Sequence, residues 1–300
     1  MPDADRTIEI EGLRMRYGAE DVLHEVNLTA HRGEVLALLG PNGAGKTTTI
    51  EILEGFRLRS AGRVTVLGID PAHGGDAWRA RIGVVLQSWR DHAKWRVREL
   101  LTQLGSYYAD YSTHAIQRPW DTDDLIAAVG LTEQANTRIA RLSGGQRRRL
   151  DVAVGLVGRP EVLFLDEPTT GFDPHARHEF HDLIRRLARD RATTVLLTTH
   201  DLQEAERLAD RIAVLDHGRI IAEGTTHELT TRIAGHDEVR WRYDGRAFTE
   251  TTTDSTAFAF DLFTRYGREI THLEIHRATL EDAYLDLVRR TEETTLEVAS

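Results

Sequence analysis

Val35-Leu-Ala-Leu-Leu39 runs directly into Gly40-Pro-Asn-Gly-Ala-Gly-Lys-Thr-Thr48, and a helical pattern follows. Five consecutive apolar residues read as a short buried strand of a parallel sheet. The glycines at 40, 43 and 45 let the backbone wrap so that successive N–H groups point inward, and the start of the next helix adds partial positive charge. Lys46 then reaches terminal phosphates, and the Thr47 hydroxyl is placed to ligate Mg²⁺. With 24 glycines in 300 residues and lysine used only at Lys46 and Lys94, a chance match somewhere in the chain has a probability of roughly 0.002. One of two compact ammonium groups therefore stands where a phosphate loop needs it.

Outward from this loop, the runs 162–166 (VLFLD), 194–199 (TVLLTT) and 211–216 (RIAVLD) have the same strand-length, non-alternating character. They read as further buried parallel strands. Ile8 to Tyr17 and Arg63 to Leu67 alternate instead, as half-buried antiparallel strands do. Between the parallel strands lie helical patterns, such as Phe180, Leu183, Ile184 and Leu187 on one face of 179–189. The fold class is therefore α/β, a P-loop NTPase core with a parallel sheet and an N-terminal antiparallel β subdomain. Helix formers dominate from Trp89 to Val157, a helical insertion. Asp201 and Glu204 predict a capping box. The turn-rich stretch Gly218 to Gly235 ends the core, and residues 236–300 read as a small α+β appendage. There, Leu273 and Ile275 supply a strand, and Leu280, Tyr284 and Leu287 an amphipathic helix.

The length favours one large or two unequal domains. The charge, 38 basic against 48 acidic residues, is −10, and an acidic field argues against a nucleic-acid partner. The arginine runs Arg147 to Arg149 and Arg185–Arg186 read as solvated helix faces. With no cysteine, disulfides, zinc-thiolate sites and thiol nucleophiles are impossible, which fits a reducing interior. No stretch approaches the roughly 20 apolar residues of a membrane span, and the acidic N-terminus lacks a signal-peptide layout; a cytoplasmic protein is expected. The remaining histidines and tryptophans, Trp89 and Trp95 among them, read as surface or interface residues.

Two more segments carry chemistry. Val162 to Asp166 ends in adjacent carboxylates, Asp166 and Glu167, placed to hold Mg²⁺ and to polarise an attacking water. Leu142-Ser143-Gly144-Gly145-Gln146 feeds a second helix start, hence a second anion site, and two such sites in one chain suggest two copies meeting head to tail. Over about residues 7 to 230 the sequence resembles the ATP-binding subunit of ABC transporters. That resemblance implies that Gly40 to Thr48 (Gly40, Pro41, Asn42, Gly43, Ala44, Gly45, Lys46, Thr47, Thr48) is the Walker A motif. It makes Gln87 the Q-loop glutamine, a catalytic residue and a metal contact, Ser143, Gly144, Gly145 and Gln146 the signature that contacts the opposing subunit's ATP, and Val162 to Glu167 the Walker B segment. Asp173 becomes the D-loop aspartate, His200 the switch histidine, and Tyr17 the aromatic that stacks on adenine, against its other reading as a strand-core residue.

The resemblance further implies an Mg²⁺-dependent ATPase that pairs with a second copy of itself around two ATP molecules. A separate membrane permease would hold it on the inner face of the membrane and meet it near Gln87 and the helical insertion. The segments 40–56, 83–101 and 279–288 look like the type-2 exporter branch of drug, polysaccharide and lipid exporters. Trp89, Arg90, Asp91 and His92 depart from that branch's small-apolar pattern. An importer ATPase and a soluble non-transport ABC ATPase are the alternatives.

Overall fold

The computed structural model describes residues 5–85, 92–169, 172–191, 193–231, 237–276 and 279–298. β1 (Arg6–Tyr17) and β2 (Glu20–His31) pair antiparallel. The chain then gives β3 (Val35–Leu39) and α1 (Lys46–Leu53) before β4 (Ala61–Val66) returns to the other edge of β1. The alternation predicted for 8–17 is real: Ile8, Ile10, Leu13 and Met15 are buried, and the register shifts between Ile10 and Leu13, at the Gly12 step.

After α2 (Asp76–Arg79) and β5 (Ile82–Val85), the described residues up to 156 contain helices and no strand: α3 (Val97–Ser106), α4 (Thr122–Ala128) and α5 (Gly144–Leu156). The chain re-enters the sheet as β6 (Val162–Asp166), α6 (Pro174–Arg191), β7 (Thr194–Thr199), α7 (Leu202–Leu208), β8 (Arg211–Asp216) and β9 (Arg219–Gly224). The sheet order is β5-β6-β7-β3-β8-β9, and the pairs β5–β6, β6–β7, β7–β3 and β3–β8 are parallel. Every residue of β3 and β7 is buried, and Phe164, Leu36, Leu38, Leu196, Ile50 and Leu53 lie in one core cluster. Each such side chain contributes about 1.5–3 kcal/mol by leaving water.

Compactness divides the chain between Ile220 and Ile221. In the second unit, α8 (Thr226–Leu229) precedes β10 (Asp237–Tyr243), β11 (Arg246–Thr252), α9 (Ser255–Tyr266), β12 (Thr271–His276) and α10 (Leu280–Val298). The strands form an antiparallel sheet in the order β11-β10-β12. Its core is Val239, Trp241, Leu262 and Ile270, with Phe258, Tyr266 and Leu273 packed alongside.

Several local expectations change. The stretch 218–235 is not turn alone: it holds β9 and α8, the latter closed by a reciprocal Thr225–Glu228 cap. Asp201 caps α7 through the N–H groups of Gln203 and Glu204, but the Glu204 carboxylate does not return to it; it accepts the Thr199 hydroxyl at 2.6 Å inside the core. Trp78, Trp120, Trp241 and His181 are buried rather than superficial. For Trp78 the reason is local: its indole N–H donates to Val66 O at 2.9 Å, so the ring enters the core with its polar atom satisfied.

Candidate functional site

Parallel register brings the chemistry together. Leu39 pairs with Thr199 across β3–β7, and Asp166 pairs with Thr198 across β6–β7, so three adjacent strands end at one level. The residues that follow each end, 40–48, 167 and 200, therefore meet at the carboxyl edge of the sheet, where open α/β sheets bind ligands.

Two glycines fix the loop. A Cβ at Gly40 would stand 2.1 Å from Leu215 O, and Gly45 has φ 104° with a Cβ position 2.6 Å from the Leu23 side chain. Gly45 is also the N-cap of α1 and supplies no side-chain cap, so the first-turn N–H groups are left for an anion. Lys46 is only 5% exposed; its Nζ donates to Gly40 O at 2.8 Å and Pro41 O at 3.0 Å and lies 3.9 Å from Glu167 Oε1. Burial holds its pKa below the ordinary lysine value, while Glu167 and Asp166 oppose that shift.

The Thr47 hydroxyl donates to Asp166 Oδ2 at 3.3 Å. On its other side Asp166 accepts the Thr198 hydroxyl at 2.5 Å. Glu167 adopts φ 44°, a left-handed conformation that strains a non-glycine residue by about 1–3 kcal/mol. Thr198 supports it: Glu167 N–H donates to Thr198 O at 3.2 Å and to Thr198 Oγ1 at 3.1 Å. Glu167 Oε1 then lies 3.0 Å from His200 Nδ1.

Lys46, Thr47, Asp166, Glu167 and His200 thus form one contact cluster. The other sequence-selected residues stand elsewhere. Ser143 Oγ accepts Gln146 N–H at 3.3 Å and Gln146 Oε1 accepts Ser143 N–H at 3.0 Å, a reciprocal cap that starts α5 with Gly144 and Gly145 in its first turn. Asp173 caps α6, accepting His175 and Ala176 N–H at 2.9 Å each, and those backbone bonds, Ala176 first, lower its pKa. Tyr17 is 39% exposed at the end of β1, with the Arg57 guanidinium 5.0 Å above its ring, so it is not a strand-core aromatic. Gln87, like Trp89, Arg90 and Asp91, lies outside the described residues.

Three participants were not selected from sequence. Thr198 anchors both acids, as above. Glu54, at the end of α1, is 6% exposed, and its carboxyl is pushed up to about 8 by burial, with Asp166 and Glu51 adding repulsion. Arg148 is not on a solvated helix face: it is 8% exposed, and its Nε donates to Pro168 O at 2.9 Å. In sequence, nothing separates it from Arg147 and Arg149.

Known proteins are similar to this chain in sequence and in fold. A family model described as ABC transporter matches residues 23–170. The Nod factor export ATP-binding protein I of Rhizobium leguminosarum bv. viciae is 44% identical over 222 residues, which cover 74% of this chain and 70% of that protein. The daunorubicin resistance ATP-binding protein of Streptomyces coeruleorubidus is 43% identical over 232 residues, 77% and 72% of the two chains. The Nod factor export ATP-binding protein I of Burkholderia lata is 37% identical and aligns across 94% of this chain and 97% of its own. Among solved structures, an ATP-binding subunit of an ABC transporter superposes with TM-score 0.65 at 25% identity, covering 75% of this chain and 92% of that one. A dimeric bacterial ABC transporter cassette gives 0.62 at 25%, covering 73% and 98%.

Proposed function

The chain belongs to the ATP-binding subunits of ABC transporters, and we propose that it powers an exporter through a separate membrane permease. It is an ATP-binding ATPase of that family. The exporter reading is supported by relatives named for Nod factor export and daunorubicin resistance. Among the described residues, no helix is long and apolar enough to cross a membrane, so the transport path is assigned to the permease. That partner would hold the chain on the inner face of the membrane.

The observation that carries the mechanism is the meeting of Lys46, Thr47, Asp166, Glu167 and His200 at three aligned strand ends. The loop from Gly40 to Thr48 wraps the phosphates of ATP, and Lys46 leaves its carbonyl partners to neutralise the terminal ones. Thr47 and Asp166 would hold Mg²⁺; two neighbouring oxygen donors suit an ion that keeps most of its coordination for water and phosphate. Bound there, the ion offsets charge on the phosphoryl group in transfer.

Glu167 orients the attacking water and takes its proton, a role worth about 10²–10⁴-fold. His200 contacts the γ-phosphate through Nε2, the ring nitrogen that Glu167 does not engage. Ser143, Gly144, Gly145 and Gln146 serve the ATP of a second copy, in line with the dimeric cassette above. Asp173 lies at that interface, Tyr17 stacks on adenine, and Gln87 links nucleotide to permease. Residues 236–300 form an accessory domain.

The test is Glu167→Gln. Phosphate release should fall by roughly 100-fold or more, while size-exclusion chromatography with ATP and Mg²⁺ shows an accumulated dimer. Hydrolysis at the wild-type rate would remove Glu167 from this role. Co-purification of a multi-spanning membrane protein with the chain tests the permease.

A further inference from the structure

Three consecutive arginines on α5 go three different ways. Arg149 reaches Gly130 O and Glu179, Arg147 lies 3.6 Å from Asp151, and Arg148 turns into the core. Its guanidinium spans the backbone around Glu167: Nε donates to Pro168 O at 2.9 Å and Nη2 approaches Asp166 O at 3.5 Å. Nη1 lies 3.9 Å from Asp151 Oδ2, the nearby counter-charge. Burying a guanidinium is costly, and burial depresses the pKa of this one. A residue needed for packing alone could be apolar at lower cost. What an arginine adds is a rigid fork that binds two points at once.

Those two points flank the strained residue. Glu167 is held in its left-handed conformation from the N–H side by Thr198. Arg148 holds the carbonyl oxygens of the residues before and after it, Asp166 and Pro168. We propose that Arg148 is a positioning residue for Glu167, clamping the 166–168 backbone so that the carboxylate stays beside His200 and Lys46. The clamp sits on the helix that Ser143 begins, five residues or about 7.5 Å along its axis. The inference rests on the reading of Glu167 as the catalytic carboxylate.

The experiment is a double-mutant cycle on the full-length chain with Arg148→Met, Arg148→Lys, Glu167→Gln and the Arg148→Met/Glu167→Gln pair. Phosphate release, ATP affinity by calorimetry and thermal midpoint are measured for each. Methionine keeps much of the buried volume without a charge; lysine keeps the charge and reaches one carbonyl. Arg148→Met should lower kcat at least tenfold with ATP affinity within about twofold. Arg148→Lys should lie between it and wild type and provides the reading if methionine does not fold. In the Glu167→Gln background, Arg148→Met should add little further loss, because both act on one group. Three results overturn the inference: wild-type kcat in the Arg148 variants, a loss of ATP affinity that matches the loss of rate, or the full tenfold loss repeated on top of Glu167→Gln. A Glu167→Gln protein at wild-type rate overturns the underlying assignment instead, so the two failures are distinguishable.

Discussion

Glu54 sets up a measurable pH dependence of stability. Its carboxyl is buried at the end of α1 and titrates at about 8, against an ordinary value of 4.5, chiefly because burial penalises the charged form. The folded state therefore keeps a proton that the unfolded chain releases. The contribution of Glu54 to stability is fully present below pH 4.5 and is lost as pH rises towards and through about 8. At about 1.36 kcal/mol per pH unit, the loss between pH 5 and pH 8 is on the order of 3–4 kcal/mol. Glu54→Gln copies the shape of the neutral acid and does not titrate. Urea denaturation of both proteins at pH 5, 6, 7 and 8, with linear extrapolation to water, should find them within about 1 kcal/mol at pH 5. Glutamine should become steadily more stable above that pH, ahead by on the order of 3 kcal/mol at pH 8. A stability difference that stays constant across the series would refute the reasoning, because it would mean that Glu54 has the same proton affinity folded and unfolded.

Lys46→Ala should lose ATP affinity and turnover while keeping its thermal midpoint, and unchanged affinity in a calorimetric titration would contradict the phosphate role. Tyr17→Ala should weaken ATP binding by about tenfold or somewhat more, since base stacking on an aromatic is worth roughly 1–3 kcal/mol; Tyr17→Phe should be near wild type, and equal damage from both would point to the hydroxyl. Thr198→Val removes a hydroxyl that donates to Asp166 and accepts from Glu167 N–H, so it should cost about 1.5–3 kcal/mol of stability and lower kcat, and denaturation together with phosphate release checks both. Truncation near Gly235 should leave ATP binding intact and impair dimerisation or permease assembly; a folded truncated chain without ATP binding would assign the tail to the nucleotide site.

Much of this site was legible because its signals are local. A buried strand entering a glycine-rich turn before a helix is a pattern of adjacent residues, and it locates Lys46 and Thr47 without any tertiary information. The carboxylates after β6 are equally local. What the sequence withheld is whatever depends on a distant neighbour. Glu54 reads as an ordinary helix-end acid until folding brings Asp166 near it. Arg148 lies in a run whose solvated and buried members share one composition, and only the backbone of 166–168 tells them apart. Glu204 has the spacing of a capping residue, yet the Thr199 hydroxyl at the end of β7 is its partner. The β9–α8 stretch was obscured by turn-forming residues that connect its elements rather than replace them.

Charge balance at the strand ends decides which ligand fits. Asp166 and Glu167 bring two carboxylates towards one buried ammonium, Lys46, while Glu54 is neutral below about 8 and adds little charge. A bare polyphosphate entering there would gain Lys46 and the N–H groups of α1 but would meet both carboxylates. Near a protein surface, each unit-charge repulsion at 4 Å is worth about 4 kcal/mol, enough to offset much of the gain. A divalent cation by itself would satisfy Asp166 and meet Lys46. Entering together, the anion answers Lys46 and the helix start, the cation answers the acids, and each screens the other's repulsion. This charge balance supports the proposal that ATP enters as its magnesium complex, and ATP affinity measured with EDTA should then fall well below that measured with Mg²⁺. In Asp166→Asn the gap between the two conditions should narrow, because the acid that the cation answers is gone.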